Sequence, residues 1–222
     1  MKIIGHRGAK GLAPENTLAS FEKALEHQVD EIELDVRVTV DGVAVVQHDP
    51  ELHDPAGNHL NVAASTYRQL LEHKPTLMTF DAAMRAISRR VPVLVEVKPG
   101  VPTAPVISVI KQLQTDGWQD HDLLLGSFSF AVLQELHAAL PTISKVVNER
   151  WSGVRATYRA RKLGTKRLNM NQRWLWSGFI ASICRSGYEL APYTLNDPKK
   201  AKRWAKYGLN AVITDFPDRF ES

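Results

Sequence analysis

Short apolar, β-branched runs alternate with amphipathic segments from one end of the chain to the other. The runs are KIIG (2 to 5), EIELDV (31 to 36), VAVVQH (43 to 48), VPVLVEV (91 to 97), DLLLGSF (122 to 128), SKVVN (144 to 148), RLNMN (167 to 171), LAPYTL (190 to 195) and AVIT (211 to 214). Between most of them lie segments such as TLASFEKALEHQ, in which Leu18, Phe21 and Leu25 fall on one side and Glu22, Lys23 and Glu26 on the other. Strand, helix, strand, repeated, predicts an α/β fold with a parallel sheet covered by helices. No low-complexity linker divides the chain, so residues 1–222 are read as a single domain.

Nine runs are one more than an eight-stranded barrel needs, and one pair differs from the rest. ELDVRVTVDGVAVVQH has no helix between its two runs, only Asp41-Gly42, a dipeptide suited to a tight hairpin turn. A two-residue turn there sets Val40 against Val43 and brings His48 opposite Asp35. With residues 31–48 forming this antiparallel β-hairpin, the other eight runs can close a (β/α)8 TIM barrel, whose active sites lie at the C-terminal ends of the strands. A doubly wound open sheet is the alternative, disfavoured because no GxGxxG loop follows the first strand.

Composition narrows the class. Hydrophobic residues at 44% and charged residues at 23% are ordinary for a globular protein. No stretch approaches the roughly 18 uninterrupted apolar residues of a membrane span, and MKII breaks at Gly5 before a signal peptide can form. The lone Cys184 excludes an internal disulfide framework and fits a reducing, cytoplasmic location. A formal charge of +4 and a pI of about 9.2 favour anionic partners. The basic segments at 158 to 167 and 197 to 207 are read as solvated helix faces. No RNA-binding signature or metal-finger spacing points to nucleic acid.

Polar groups gather where the strands finish. His6 and Arg7 end the first run, Glu33 and Asp35 lie on the second, His48 ends its hairpin partner, and Glu96 with Lys98 end VLVEVK. Side chains in a strand alternate with period two, so Glu33 and Asp35 share a side, as do Glu96 and Lys98. If that side is the barrel interior, three carboxylates converge, and buried unpaired carboxylates repel at a cost of several kcal/mol each. Something positive must sit among them, and oxygen-only ligands suit Mg2+ or Ca2+ over Zn2+. Taken singly, each residue has a plainer reading: a histidine satisfied by hydrogen bonds, or Glu33 and Glu96 as halves of ion pairs with Arg7 and Lys98.

HRGAKGLAPENTLASFEKAL, IELDVRVTVDGVAVVQHD, VEVKP, GSFSF, YTLND and VITDFP, in this order, resemble the glycerophosphodiester phosphodiesterase family over nearly the full chain. The resemblance implies a TIM barrel of the phospholipase C-like phosphodiesterase type. It also implies that His6 and His48 are the acid/base pair, that Glu33, Asp35 and Glu96 bind one divalent cation, Mg2+ or Ca2+, and that Arg7 and Lys98 hold phosphate oxygens. The implied substrate is a small glycerophosphodiester, cleaved to sn-glycerol 3-phosphate and an alcohol through a cyclic phosphate. Alternatives are lysophospholipase D-type action on lysophospholipids, with a membrane-facing rim, or a barrel that binds a phosphodiester without turning it over.

Around this set, Asn16 in PENT is expected to be a helix N-cap and Glu15 to orient Arg7. Phe128 either packs against glycerol or caps the core, Tyr193 in YTLND stands where the family has Trp and keeps an aromatic wall, and Asp215 is expected to fix a neighbouring backbone group. Gly5 and Gly8 leave room for close backbone approach. PELHDPAGNHL departs from the family's Arg- and Thr-containing, Gly-rich segment and leaves His53, Asp54 and His59 without a role. Trp174 and Trp176, in RWLWSGF, are expected to pack against a helix more readily than to meet lipid.

Overall fold

The computed structural model describes residues 1–53, 57 and 59–220; Asp54 therefore lies outside the described residues. The elements run β1 (Lys2–Gly5), α1 (Leu18–Glu26), β2 (Glu31–Val38), β3 (Ala44–Val46), β4 (Glu51–His53), β5 (His59–Asn61), α2 (Tyr67–His73), α3 (Phe80–Ile87), β6 (Val93–Val97), α4 (Thr103–Thr115), β7 (Leu123–Ser127), α5 (Phe130–Ala139), β8 (Ser144–Glu149), α6 (Gly153–Lys162), β9 (Arg167–Asn171), α7 (Ser177–Arg185), β10 (Glu189–Tyr193), α8 (Pro198–Ala205) and β11 (Ala211–Thr214). Eight strands pair in parallel in the order β10-β9-β8-β7-β6-β2-β1-β11, and β3 adds antiparallel to β2. The Leu195 amide donates to the Ile213 carbonyl at 2.8 Å, beside the gap between β10 and β11. The result is a nearly closed eight-stranded barrel, not a doubly wound open sheet.

Period-two alternation sorts the side chains into two layers. Ile32, Leu34, Val36 and Val38 of β2 join Val93, Val95 and Val97 of β6 in the apolar layer that also holds Phe21, Phe80 and Ile110 of the helices. The interior positions are taken by Ile4, Leu94, Leu124, Val146, Ala191, Ala211 and Ile213. Across the second half, Leu168, Met170, Leu190 and Val212 pack against Ile180 and Trp204. Helices begin on side-chain caps: the Thr17, Thr79, Ser129 and Ser152 hydroxyls accept amides of their own first turns, and Asp197 caps α8 with Pro198 behind it.

Two expectations change here. Asn16 is not the cap of α1; Thr17 is, and Asn16 sits in the left-handed region at φ 57° with its side chain buried. The hairpin register is shifted by one residue: Val38 faces Ala44, Val36 faces Val46, and the Gln47 amide donates to the Asp35 carbonyl at 3.0 Å. The reason is a three-residue loop. The Gly42 amide donates to the Thr39 carbonyl and Gly42 takes φ 78°, so Thr39, not Val40, closes on Val43. Gly5 and Gly8 do permit the close backbone approach expected of them: a Cβ at Gly5 would lie 2.5 Å from the Gly8 carbonyl oxygen, and one at Gly8, which takes φ 83°, 2.4 Å from the Ser20 hydroxyl of α1. A hairpin that the sequence pattern did not reveal, β4 paired with β5, occupies the divergent segment and brings the His53 and His59 rings to 5.8 Å.

Lys145 is buried in β8, and its ammonium donates to the carbonyls of Leu140 and Ile143, with no carboxylate in contact among the described residues. Burial pushes its pKa down to about 8, only partly offset by Asp120. Between pH 8 and the unfolded value of about 10.4, the unfolded chain holds a proton that the folded chain has released, so the cost of burying this charge falls as pH rises through that window. Lys145→Met should therefore gain stability relative to the native protein at pH 7, and the difference should shrink by about 1–2 kcal/mol by pH 10. Urea unfolding of both proteins at the two pH values measures it; a pH-independent difference contradicts the assignment.

Candidate active site

The C-terminal ends of the strands open into a cavity of about 430 Å³ lined by His6, Arg7, Glu33, Asp35, His48, Glu96, Lys98, Phe128 and Tyr193, among others. All nine residues singled out in the sequence thus meet in one place. β2 contributes Glu33 and Asp35, and β6, its parallel neighbour with Asp35 beside Glu96, contributes the third carboxylate. One oxygen from each of the three lies within 4.8 Å of the others.

All three carboxylates are buried, and two cations stand among them. Lys98 bridges Asp35, at 2.5 Å, and Glu96. Arg7 places Nη1 2.8 Å from both oxygens of Glu15 and Nε 3.2 Å from Asp35. Glu15 therefore orients Arg7, as its position suggested, while Asn16 fixes Asp35 through its amide at 2.9 Å. Arg7 takes φ 51°, which turns its backbone amide onto Glu33 Oε2 at 2.8 Å.

The electrostatics separate the three acids. Burial raises all of them, but Lys98 and Arg7 outweigh it at Asp35, whose pKa is held below the usual carboxylate range. Among the described residues no cation contacts Glu33; burial, then Asp35 and Glu96, push it well above that range. Glu96 is raised as well, with Lys98 resisting. Counting Glu15, four carboxylates face Arg7, Lys98 and the Lys10 ammonium 3.0 Å from Glu15, so with all four ionised the site has a deficit of one positive charge. A hard divalent cation on Glu33, Asp35 and Glu96 would more than fill it, and the donor set, all oxygen, suits such an ion.

Each histidine is braced at Nδ1. His6 Nδ1 lies 2.6 Å from Asp215 Oδ1, and His48 Nδ1 lies 2.7 Å from Asp49 Oδ1. Both aspartates have lowered pKa values, with burial overcome by the bond to the histidine. An ionised carboxylate only accepts hydrogen bonds, so each ring carries its proton on Nδ1 and leaves Nε2 for the cavity. The two braces differ in rigidity. The Asp215 side chain is 18% exposed and held by the Asn196 amide at 2.9 Å, whereas the Asp49 side chain is 59% exposed. Asp215 thus fixes the His6 ring, a role larger than the backbone contact expected of it, and it reaches that ring from 209 residues away.

Sequence reasoning also missed Asn148, which donates to Glu96 at 2.8 Å, and Asn169, which donates to Asn148 at 2.9 Å. A signal existed: each is an asparagine inside a strand, on the parity that faces the interior. On the opposite wall Phe128 and Tyr193 meet edge to face at 5.8 Å, and the Arg150 guanidinium lies 5.6 Å from the Phe128 centroid. The Tyr193 hydroxyl donates to the Glu149 carbonyl, and burial pushes its pKa up. Trp176 packs against a helix as expected, its ring so close over Gly178 of α7 that a Cβ there would lie 2.0 Å from it, yet it remains 66% exposed, and Trp174 is 58% exposed. They follow β9, whose end is at the cavity mouth, and the short turn there directs them outward.

The sequence profile described as the Glycerophosphoryl diester phosphodiesterase family matches residues 6–219. A glycerophosphodiester phosphodiesterase of Bacillus altitudinis is 27% identical over 234 residues, covering 98% of this chain and 96% of its own length. Among solved structures, an Oleispira antarctica phosphodiesterase in complex with the product sn-glycerol-3-phosphate superimposes with a TM-score of 0.86 at 27% identity, covering 99% of this chain and 95% of that one. A glycerophosphodiester phosphodiesterase of Agrobacterium tumefaciens str. C58 shares the fold at a TM-score of 0.81 and 24% identity, with coverages of 99% and 98%.

Proposed function

Because this chain belongs to the glycerophosphoryl diester phosphodiesterase family, we propose that it hydrolyses glycerophosphodiesters to sn-glycerol 3-phosphate and an alcohol by two-histidine acid/base chemistry at a divalent cation site. The observation that carries this reading is the pair of histidines, each braced by a carboxylate at Nδ1, lining one cavity with three buried carboxylates. The sn-glycerol-3-phosphate complex of the Oleispira relative supports the same product here.

In the proposed reaction, Nε2 of one histidine takes the proton of the glycerol hydroxyl next to the phosphate, whose oxygen attacks phosphorus. Nε2 of the other gives a proton to the departing alcohol. Water, activated by the second histidine, then opens the cyclic phosphate while the first returns its proton. Each transfer is worth about 10²–10⁴-fold. Burial lowers the His48 pKa, so His48 is suited to be the base of the first step. Glu33, Asp35 and Glu96 would hold Mg2+ or Ca2+, which supplies Lewis-acid stabilisation of the developing negative charge. Arg7 and Lys98 add fixed positive charge beside the phosphoryl oxygens. Phe128 and Tyr193 form an apolar wall for the glycerol carbons.

Purified protein supplied with Mg2+ or Ca2+ should release sn-glycerol 3-phosphate from glycerophosphocholine and glycerophosphoethanolamine, and EDTA should stop it. Running the substrate panel against a metal panel identifies the cation and the preferred alcohol together. Intact glycerophosphodiesters with every divalent cation tried would overturn the proposal.

A further inference from the structure

From Arg150 to Tyr188 the chain holds nine of its 28 Lys and Arg residues and none of its 24 Asp and Glu. The charge of this segment exceeds the +4 of the whole chain, so the remainder of the molecule is net negative. The segment builds the end of β8, α6, β9 and α7, one continuous side of the barrel.

At the mouth of that side, four apolar side chains stand in solvent: Trp151 at 57% exposure, Val154 at 82%, Trp174 and Trp176. Gly153 lies against the Phe179 ring, which brings the starts of α6 and α7 together. Arg150, Trp151, Asn171, Arg173 and Trp174 line a second concavity of about 490 Å³, and it shares Arg150 and Asn171 with the catalytic cavity. Arg155 is neutralised by Glu149 at 2.6 Å, but among the described residues no carboxylate pairs with Arg150 or Arg173. Indoles exposed beside unpaired guanidiniums match the headgroup level of an anionic bilayer, where aromatic rings enter the interface and basic side chains meet lipid phosphates.

We infer that this face, Trp151, Val154, Trp174 and Trp176 with Arg150 and Arg173, docks on an anionic lipid bilayer and opens the catalytic cavity onto it. The inference rests on the proposed phosphodiesterase reading only for what enters the cavity; docking itself does not need turnover. A single-stranded nucleic acid would also meet aromatic and basic groups, but the face offers an exposed valine and a concavity leading into a cavity built around acidic groups. Polyanion tracking would be hindered there, whereas a single lipid headgroup would be admitted.

The test is co-sedimentation with vesicles of phosphatidylcholine alone and of phosphatidylcholine with an equal share of phosphatidylglycerol, at low and high NaCl. Partition should favour the anionic vesicles, weaken with salt and shift tryptophan emission to the blue. The triple variant W174S/W176S/R173E should lose at least about tenfold in partition, while its hydrolysis of soluble glycerophosphocholine stays within about twofold of the native rate. Equal partition to both vesicles, no partition at low salt, or unchanged partition of the variant overturns the inference. So does binding to a single-stranded RNA oligonucleotide in place of vesicles. Vesicle binding without hydrolysis of any glycerophosphodiester would instead overturn the reaction and leave docking standing.

Discussion

His6→Ala lowers kcat/KM for glycerophosphocholine by about 10²–10⁴, and so does His48→Ala. The double variant should be little worse than the poorer single one, because an acid and a base that act in one concerted transfer lose their value together. The residual rates should differ in their pH dependence. Burial keeps His48 below the ordinary histidine range of about 6.5. His6→Ala should therefore retain an acid limb that lies below about pH 6.5, and His48→Ala should lose it. Stopped assays across pH 5 to 9 decide this. An unchanged acid limb in His48→Ala would reverse the proposed roles, and a loss under about tenfold in both variants would remove the histidines from the mechanism.

Glu33→Gln should disable the enzyme without weakening the fold. Among the described residues the Glu33 carboxylate accepts only the Arg7 amide, a bond that the glutamine carbonyl can keep, and its charge is opposed first by burial and then by Asp35 and Glu96. Removing that charge relieves the metal-free protein, so its Tm should hold or rise. The cation should lose one of three carboxylate ligands. In the native protein, cation at about 100 times its Kd adds ~2.7 kcal/mol, a rise of roughly 5–10 °C for a chain of this size. Glu33→Gln should abolish that rise and lower kcat/KM by about 10²–10³, the loss expected when several kcal/mol of charge stabilisation go. Calorimetric scans with and without Mg2+ or Ca2+, set beside the rates, separate the two effects. A variant that keeps the metal-induced shift shows that Glu33 is not a ligand.

The membrane question turns on the surface and not on a span, since among the described residues no helix is long and apolar enough to cross a bilayer.

Sequence alone determined the strand and helix alternation, the hairpin after the second barrel strand and the shared side of Glu33 with Asp35 and of Glu96 with Lys98. It did so because a strand has period two. EIELDV and VLVEVK place every charge on one parity, and only the barrel interior could collect them. The same logic would have flagged Asn148 and Asn169, whose strands carry the same parity break. Other features were decided in three dimensions. The register at Thr39–Gly42 depends on which of two turn geometries the loop adopts, and Asp41-Gly42 permits both. The Asp215 brace on His6 depends on β11 closing beside β1. The exposure of Trp174 and Trp176 depends on how the turn after β9 leaves the barrel. Local pattern fixes the face on which a side chain lies; which distant element meets that face, and which face meets solvent, is set by how the barrel closes.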